Sequence, residues 1–123
     1  MAEIRPFCCV HPATEVVSQV AALPYDVYNR AEAKQAVKDH PLSFLNIDRP
    51  ETMFAPDQDM YAPEVYEAAR QRLEEQKQAG VYVKEEQPVY YLYELTMDGR
   101  SQTGLVACAS IDEYENHVIK KHE

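Results

Sequence analysis

The chain has 123 residues, 46% of them apolar, and 21 acidic side chains stand against 12 basic ones for a net charge of −9. That length suits one domain and not two ordinary ones, and so much apolar material excludes a globally disordered chain. The charge sets the chain against phosphate backbones and anionic lipid surfaces, so neither a nucleic-acid partner nor a membrane partner is expected.

Residues 4–10 read as a first strand, with Pro6 pushing it towards an edge or towards the strand start, and His11-Pro12 ends it. Thr14 beside Glu15 is a candidate cap for a short helix through Leu23, with Val16, Val17, Val20 and Leu23 on its apolar side. Leu23-Pro24-Tyr25-Asp26-Val27-Tyr28 breaks that helix, because a residue before proline avoids the α region. Asn29 with Glu32 three residues later is close to a capping box, which predicts a helix over about 30–39, stopped by His40-Pro41. Phe44-Leu45-Asn46-Ile47 reads as a short strand and 48–51 as the turn after it, while Pro56 with Asp57 and Asp59 makes 52–60 a loop.

Pro63 then opens a helix over 64–79, with Val65, Ala69, Leu73 and Gln76 at helical spacing and Gly80 at the left-handed cap position. Residues 81–83 read as a strand. Asp98-Gly99 is the two-residue signal of a type I′ hairpin turn. Counting back from it pairs Met97 with Arg100, Leu95 with Gln102, Tyr93 with Gly104 and Tyr91 with Val106, and an aromatic over a strand glycine compensates for the missing side chain. Leu105-Val106-Ala107-Cys108-Ala109 lacks polar alternation, so both faces of that strand are expected to be buried in the middle of the sheet. The fold class expected is α/β or α+β: one domain over 1–123 with a mixed β-sheet, a central β-hairpin at about 88–111 and helices packed on it. The close of the chain, with apolar Val118 and Ile119, reads either as a final docked strand or as the N-terminal part of a longer protein.

No apolar run approaches the roughly 18 residues that cross a bilayer, and the N-terminus has no signal-peptide core, so a cytoplasmic location is expected. Cys8, Cys9 and Cys108 read as reduced thiols; Cys8 and Cys9 would alternate faces on a strand and pair poorly. With His11 they match no zinc spacing, so no metal site is expected. Asp26 after Pro24-Tyr25 offers a loop carboxylate near a cleft or an Asx-type turn, the commoner use of Asp at such a place. Arg49 could hold an anion bidentately or form an ion pair. Tyr90, Tyr91 and Tyr93 could stack bases, but the acidic charge favours packing within the sheet. His122-Glu123 beside Lys120 and Lys121 is a titratable pair in a basic setting.

Ile4-Arg5-Pro6-Phe7, Leu23-Pro24-Tyr25-Asp26-Val27, Ser43-Phe44-Leu45, Arg49-Pro50-Glu51, Ser101-Gln102-Thr103-Gly104-Leu105 and Tyr114-Glu115-Asn116 with Ile119-Lys120-Lys121-His122-Glu123 together resemble the start of the uncharacterised family called "domain of unknown function 1015". The resemblance runs in order over essentially the whole chain. Members are longer, so it implies an N-terminal fragment. Further downstream full members carry Asp-Gly-His-His-Arg, a motif similar to one in the ParB/sulfiredoxin-like superfamily, which includes kinases that phosphorylate free serine with ADP or ATP. In those kinases a glutamate of a preceding His-Glu pair is thought to activate the serine hydroxyl. His122-Glu123 is similar to that pair, so the resemblance implies Glu123 as a general base with His122 beside it. No cofactor is expected for the fragment, and ADP or ATP with magnesium for a full-length parent.

Three functions follow as expectations. The first is a phosphotransferase parent acting on free serine or a similar small hydroxyl compound. The second is a non-catalytic module binding a small ligand between the 24–28 and 43–51 loops, with Tyr25, Asp26, Arg49 and Lys121 as binding residues. The third is a structural fragment. A homodimer through an uncovered sheet edge is the expected assembly.

Overall fold

The computed structural model describes residues 1–120. In chain order the elements are β1 (Ile4–Arg5), β2 (Val10–Pro12), α1 (Val17–Val20), α2 (Arg30–Val37), α3 (Leu45–Asp48), α4 (Pro63–Gln78), β3 (Tyr82–Lys84), β4 (Tyr91–Met97), β5 (Arg100–Val106), β6 (Cys108–Ala109) and α5 (Ile111–Glu115), with 3₁₀ turns at Tyr25–Val27 and Pro50–Met53. This is the mixed α/β class that the sequence predicts. The chain divides into two compact units: His11–Val83 form one, and Met1–Val10 with the chain from Lys84 onward form the other.

The unit of residues 11–83 is mostly helical. α2 begins where the capping box predicts: the Asn29 side chain accepts from the Glu32 amide and the Glu32 carboxylate accepts from the Asn29 amide. α4 starts on Pro63 and buries Val65 and Gln76 at the predicted spacing. Gly80 follows it at φ 77°, the left-handed conformation that glycine adopts without steric cost. Val20, Val81 and Tyr82 form the centre of the core, with Val16, Leu42, Ile47 and Leu73 packed against them.

Two local expectations fail in this unit. The helix predicted from Thr14 is a single turn at Val17–Val20, entered through Val16 with no side-chain cap. The strand predicted at 44–47 is the helical turn α3. The Asn46 side chain decides this second case. Its amide donates to the carbonyls of His40 and Ser43, at 3.0 Å each. The Ile47 and Asp48 amides meanwhile close back on Phe44 O, so the run curls instead of extending.

In the other unit β1 pairs antiparallel with β6, through Ile4↔Ala109 and Arg5↔Cys108. The β4–β5 hairpin has the predicted register from Tyr91↔Val106 to Met97↔Arg100. Asp98 and Gly99 both have positive φ, 51° and 75°, as a type I′ turn demands. Tyr93 does face Gly104 across the ladder, but its ring does not cover it: a Cβ at Gly104 would meet only the Tyr93 carbonyl oxygen, at 3.9 Å.

The strand expected to lie buried on both faces is exposed. Leu105 is 56% and Leu92, opposite it, 79% accessible. β4 and β5 make a two-stranded sheet of their own. An apolar run with no alternation therefore records that both faces are apolar, not that both are covered. Val118 and Ile119 form no strand either; both amides donate to Glu113 O beyond α5. Among the described residues no helix is long and apolar enough to cross a membrane.

Candidate ligand-binding site

Arg49 follows α3 and precedes Pro50, and its backbone breaks the helix at φ −123° and ψ 62°. Its guanidinium is nearly buried, with 12% of the side chain exposed. Burying a cation is costly unless it is paired and hydrogen-bonded. Both conditions are met here. Nε donates to the carboxylate of Glu51 at 2.5 Å, and Glu51 is itself only 2% exposed. Nη1 donates to the backbone carbonyls of Tyr25 (3.0 Å) and Tyr28 (2.8 Å). The Arg49 carbonyl accepts from the Thr52 hydroxyl at 2.8 Å, which completes the knot.

The consequence for the site is positional. Arg49 clamps both ends of the 3₁₀ turn Tyr25–Val27, so this exposed loop is held by a charge-assisted strut and not by its own side chains. Tyr25 is exposed, and Asp26 is exposed with no hydrogen bond or ion pair among the described residues. Of the residues nominated from the sequence, Tyr25, Asp26 and Arg49 are thus brought to one loop junction. Tyr25 meets Arg49 through its carbonyl, not its ring. Lys121, His122 and Glu123 lie outside the described residues.

A cavity of about 470 Å³ opens beside this junction. It is lined by Leu23 and Tyr28, which bracket the clamped turn, and by Ser18, Gln19, His40, Ser43 and Leu45. Of the two loops expected to make a cleft, 24–28 contributes Tyr28 and 43–51 contributes Ser43 and Leu45, while Tyr25, Asp26 and Arg49 are not among the lining residues. Tyr28 and Ser43 lie in the 24–28 and 43–51 loops named from the sequence, but neither they nor His40 are among the binding residues expected from it. The signal available for His40 was the His-Pro stop of α2, which predicted a turn and not a wall.

In the core of this unit two buried polar atoms have no hydrogen-bond partner among the described residues, Gln76 Oε1 and the Tyr82 hydroxyl. The Tyr82 ring meets Phe44 edge-on at 6.4 Å. Burial raises the pKa of the Tyr82 hydroxyl, and the nearby charge of Asp48 raises it further. Partial desolvation raises the Asp48 carboxyl in turn.

In the other unit the sheet-packing reading of the tyrosines holds in part. Tyr91 packs on Phe7 at 5.3 Å and accepts the Cys9 amide at 3.2 Å, and the Tyr90 hydroxyl donates to Ile4 O. Tyr93 is exposed instead. The three cysteines are free. Among the described residues no three His, Cys, Asp or Glu side chains gather into a group that could hold a metal ion.

The model of a family described as "Protein of unknown function (DUF1015)" matches residues 4–123. No curated protein and no solved structure matches the chain.

Proposed function

We propose that this chain, which belongs to the DUF1015 family of proteins of unknown function, is a small-ligand-binding module whose site is the cavity beside the clamped Tyr25–Val27 turn. The observation that carries the reading is Asp26. It is a carboxylate without a partner among the described residues, on a loop fixed by a buried guanidinium, between Leu23 and Tyr28 of the cavity lining though not itself part of that lining. A loop that served only as a connection would not need so costly a tie. Ser18, Gln19, His40 and Ser43 supply hydroxyl, amide and imidazole groups, and Leu23 and Leu45 supply apolar wall. That set suits a small polar molecule carrying an ammonium, which Asp26 would meet, and a hydroxyl.

Free serine has both groups and is the probe for this reading. Titrated into the protein, it is expected to give saturable amide shifts at His40, Ser43 and Tyr28. Asp26→Asn should weaken it by roughly tenfold, the worth of one charge-assisted hydrogen bond. Absence of saturable shifts with serine and with ethanolamine overturns the reading. Light scattering of the same samples reports self-association through the open β5 edge, and a monomer at high concentration removes that part.

The sequence pair His122-Glu123 favours a second reading for a longer parent, a phosphotransferase acting on free serine. Glu123 would take the hydroxyl proton while the serine oxygen bonds to the terminal phosphorus of ATP or ADP and the bridging P–O bond breaks, releasing ADP or AMP, with His122 and Lys121 beside it. Magnesium bound with a nucleotide takes one or two protein carboxylates beside waters and phosphate oxygens. Phosphorus NMR with serine, magnesium and ADP or ATP decides it: phosphoserine that disappears in Glu123→Gln is expected, and none with the unaltered protein overturns it. A cytoplasmic setting, in keeping with free thiols, belongs to both readings.

A further inference from the structure

We infer that the unit of residues 11–83 carries a second site, the groove between α2 and residues 51–56, for a small anionic molecule with an apolar or aromatic body. The groove encloses about 660 Å³ and shares no lining residue with the cavity of the proposed function. That volume falls inside the roughly 300–1,000 Å³ of small-molecule pockets.

The inference starts from an imbalance of charge. Arg30, Lys34 and Lys38 stand at i, i+4 and i+8 along α2 and its C-cap, so they share one face of the helix, and all three line the groove. Three exposed cations elsewhere in this acidic chain sit beside carboxylates: Arg5 with Glu3, Arg70 with Glu67, Lys77 with Glu74. The three on α2 do not. The one carboxylate in the lining, Glu51, is buried and already paired with Arg49. Three positive charges therefore face the groove with no free carboxylate among the described lining residues to meet them.

Their geometry suits a ligand. Arg30 Nη2 donates to Ala55 O at 3.1 Å and Lys34 Nζ to Phe54 O at 3.0 Å. Each head is thereby set against the far wall with donors to spare, since a guanidinium has five N–H groups and an ammonium three. Lys38 Nζ has no hydrogen bond or ion pair among the described residues. Val37, Phe54 and Pro56 supply the apolar surface between them. Anion donors above an apolar surface that includes an aromatic ring match a molecule that joins an acidic group to an aromatic body.

The test uses phenyl phosphate, with inorganic phosphate and phenol as its two halves, followed by amide shifts over residues 30–38 and 51–56. Phenyl phosphate is expected to saturate these shifts. Each half should bind at least tenfold more weakly. Lys38→Gln, which removes no contact of the fold, should weaken phenyl phosphate by roughly tenfold. Asp26→Asn should leave it unchanged, which separates this site from the proposed one. The inference is overturned if phenyl phosphate gives no saturable shift, if either half binds as tightly as the whole, or if Lys38→Gln binds as tightly as the unaltered protein.

Discussion

The β4–β5 hairpin and the stretch from Leu23 to Phe54 are held in shape by opposite means. The hairpin is regular backbone with exposed side chains: seven ladder pairs, a type I′ turn, and Leu92, Leu95 and Met97 open to solvent. The second stretch is a run of short helical pieces, and the links between them bury Ser43, Leu45, Asn46, Glu51 and Thr52 and are laced by side chain to main chain hydrogen bonds. In the first region, local turn chemistry writes the structure. In the second, a few buried polar groups write it, and each matters more because the low local dielectric strengthens a bond made and penalises one broken.

If that contrast is right, perturbations should divide accordingly. The largest effect is expected at Glu51. Glu51→Ala leaves Arg49 as an uncompensated buried charge, and about 3–5 kcal/mol of stability should be lost. Replacing Arg49 by Met in the same chain should recover part of the loss, because the orphaned charge goes with it. Urea denaturation reads both. A loss under about 1 kcal/mol, the range of a surface pair, would mean that the strut does not hold the loops.

Gly99→Ala comes next. Its φ of 75° is costly for any side chain, and about 1–2 kcal/mol should be lost, read as faster amide exchange along β4 and β5. Gly104→Ala should do the reverse and gain about 0.5 kcal/mol. Its Cβ meets nothing nearer than Tyr93 O at 3.9 Å, and alanine loses less conformational freedom on folding than glycine. Equal losses at both glycines would break the view that turn chemistry alone specifies the hairpin.

The same contrast explains what the sequence discloses. Asp98-Gly99 fixes a register because only certain residues accept positive φ at both turn positions, so every pair from 91 to 106 follows by counting. Asn29-Glu32 and Pro63 mark helix starts because orphaned amide groups need specific partners or none. α3 was read as a strand because four residues are too few to show a period, and the deciding bonds run from Asn46 to carbonyls of residues that look unremarkable. Arg49 was legible as a functional cation but not as a clamp, because its acceptors at Tyr25 and Tyr28 are backbone atoms that any residue would supply. Exposure of Leu105 was unreadable in principle: a residue pattern reports affinity for a cover, not its presence. Arg30, Lys34 and Lys38 could have been found, since their spacing lies inside a helix whose start was already read.

The β1–β6 pairing has a consequence for the order in which the molecule is made. Ile4 and Arg5 leave the ribosome ahead of all of His11–Val83 and must wait for Cys108 and Ala109, whereas everything in His11–Val83 has emerged before that partner strand does. During synthesis the helical unit can therefore fold as an insert, within a unit whose first strand is still unpaired. Bringing Ile4 back to Ala109 closes a loop of most of the chain. That closure is slow by topology, though it costs little more entropy than a shorter one would.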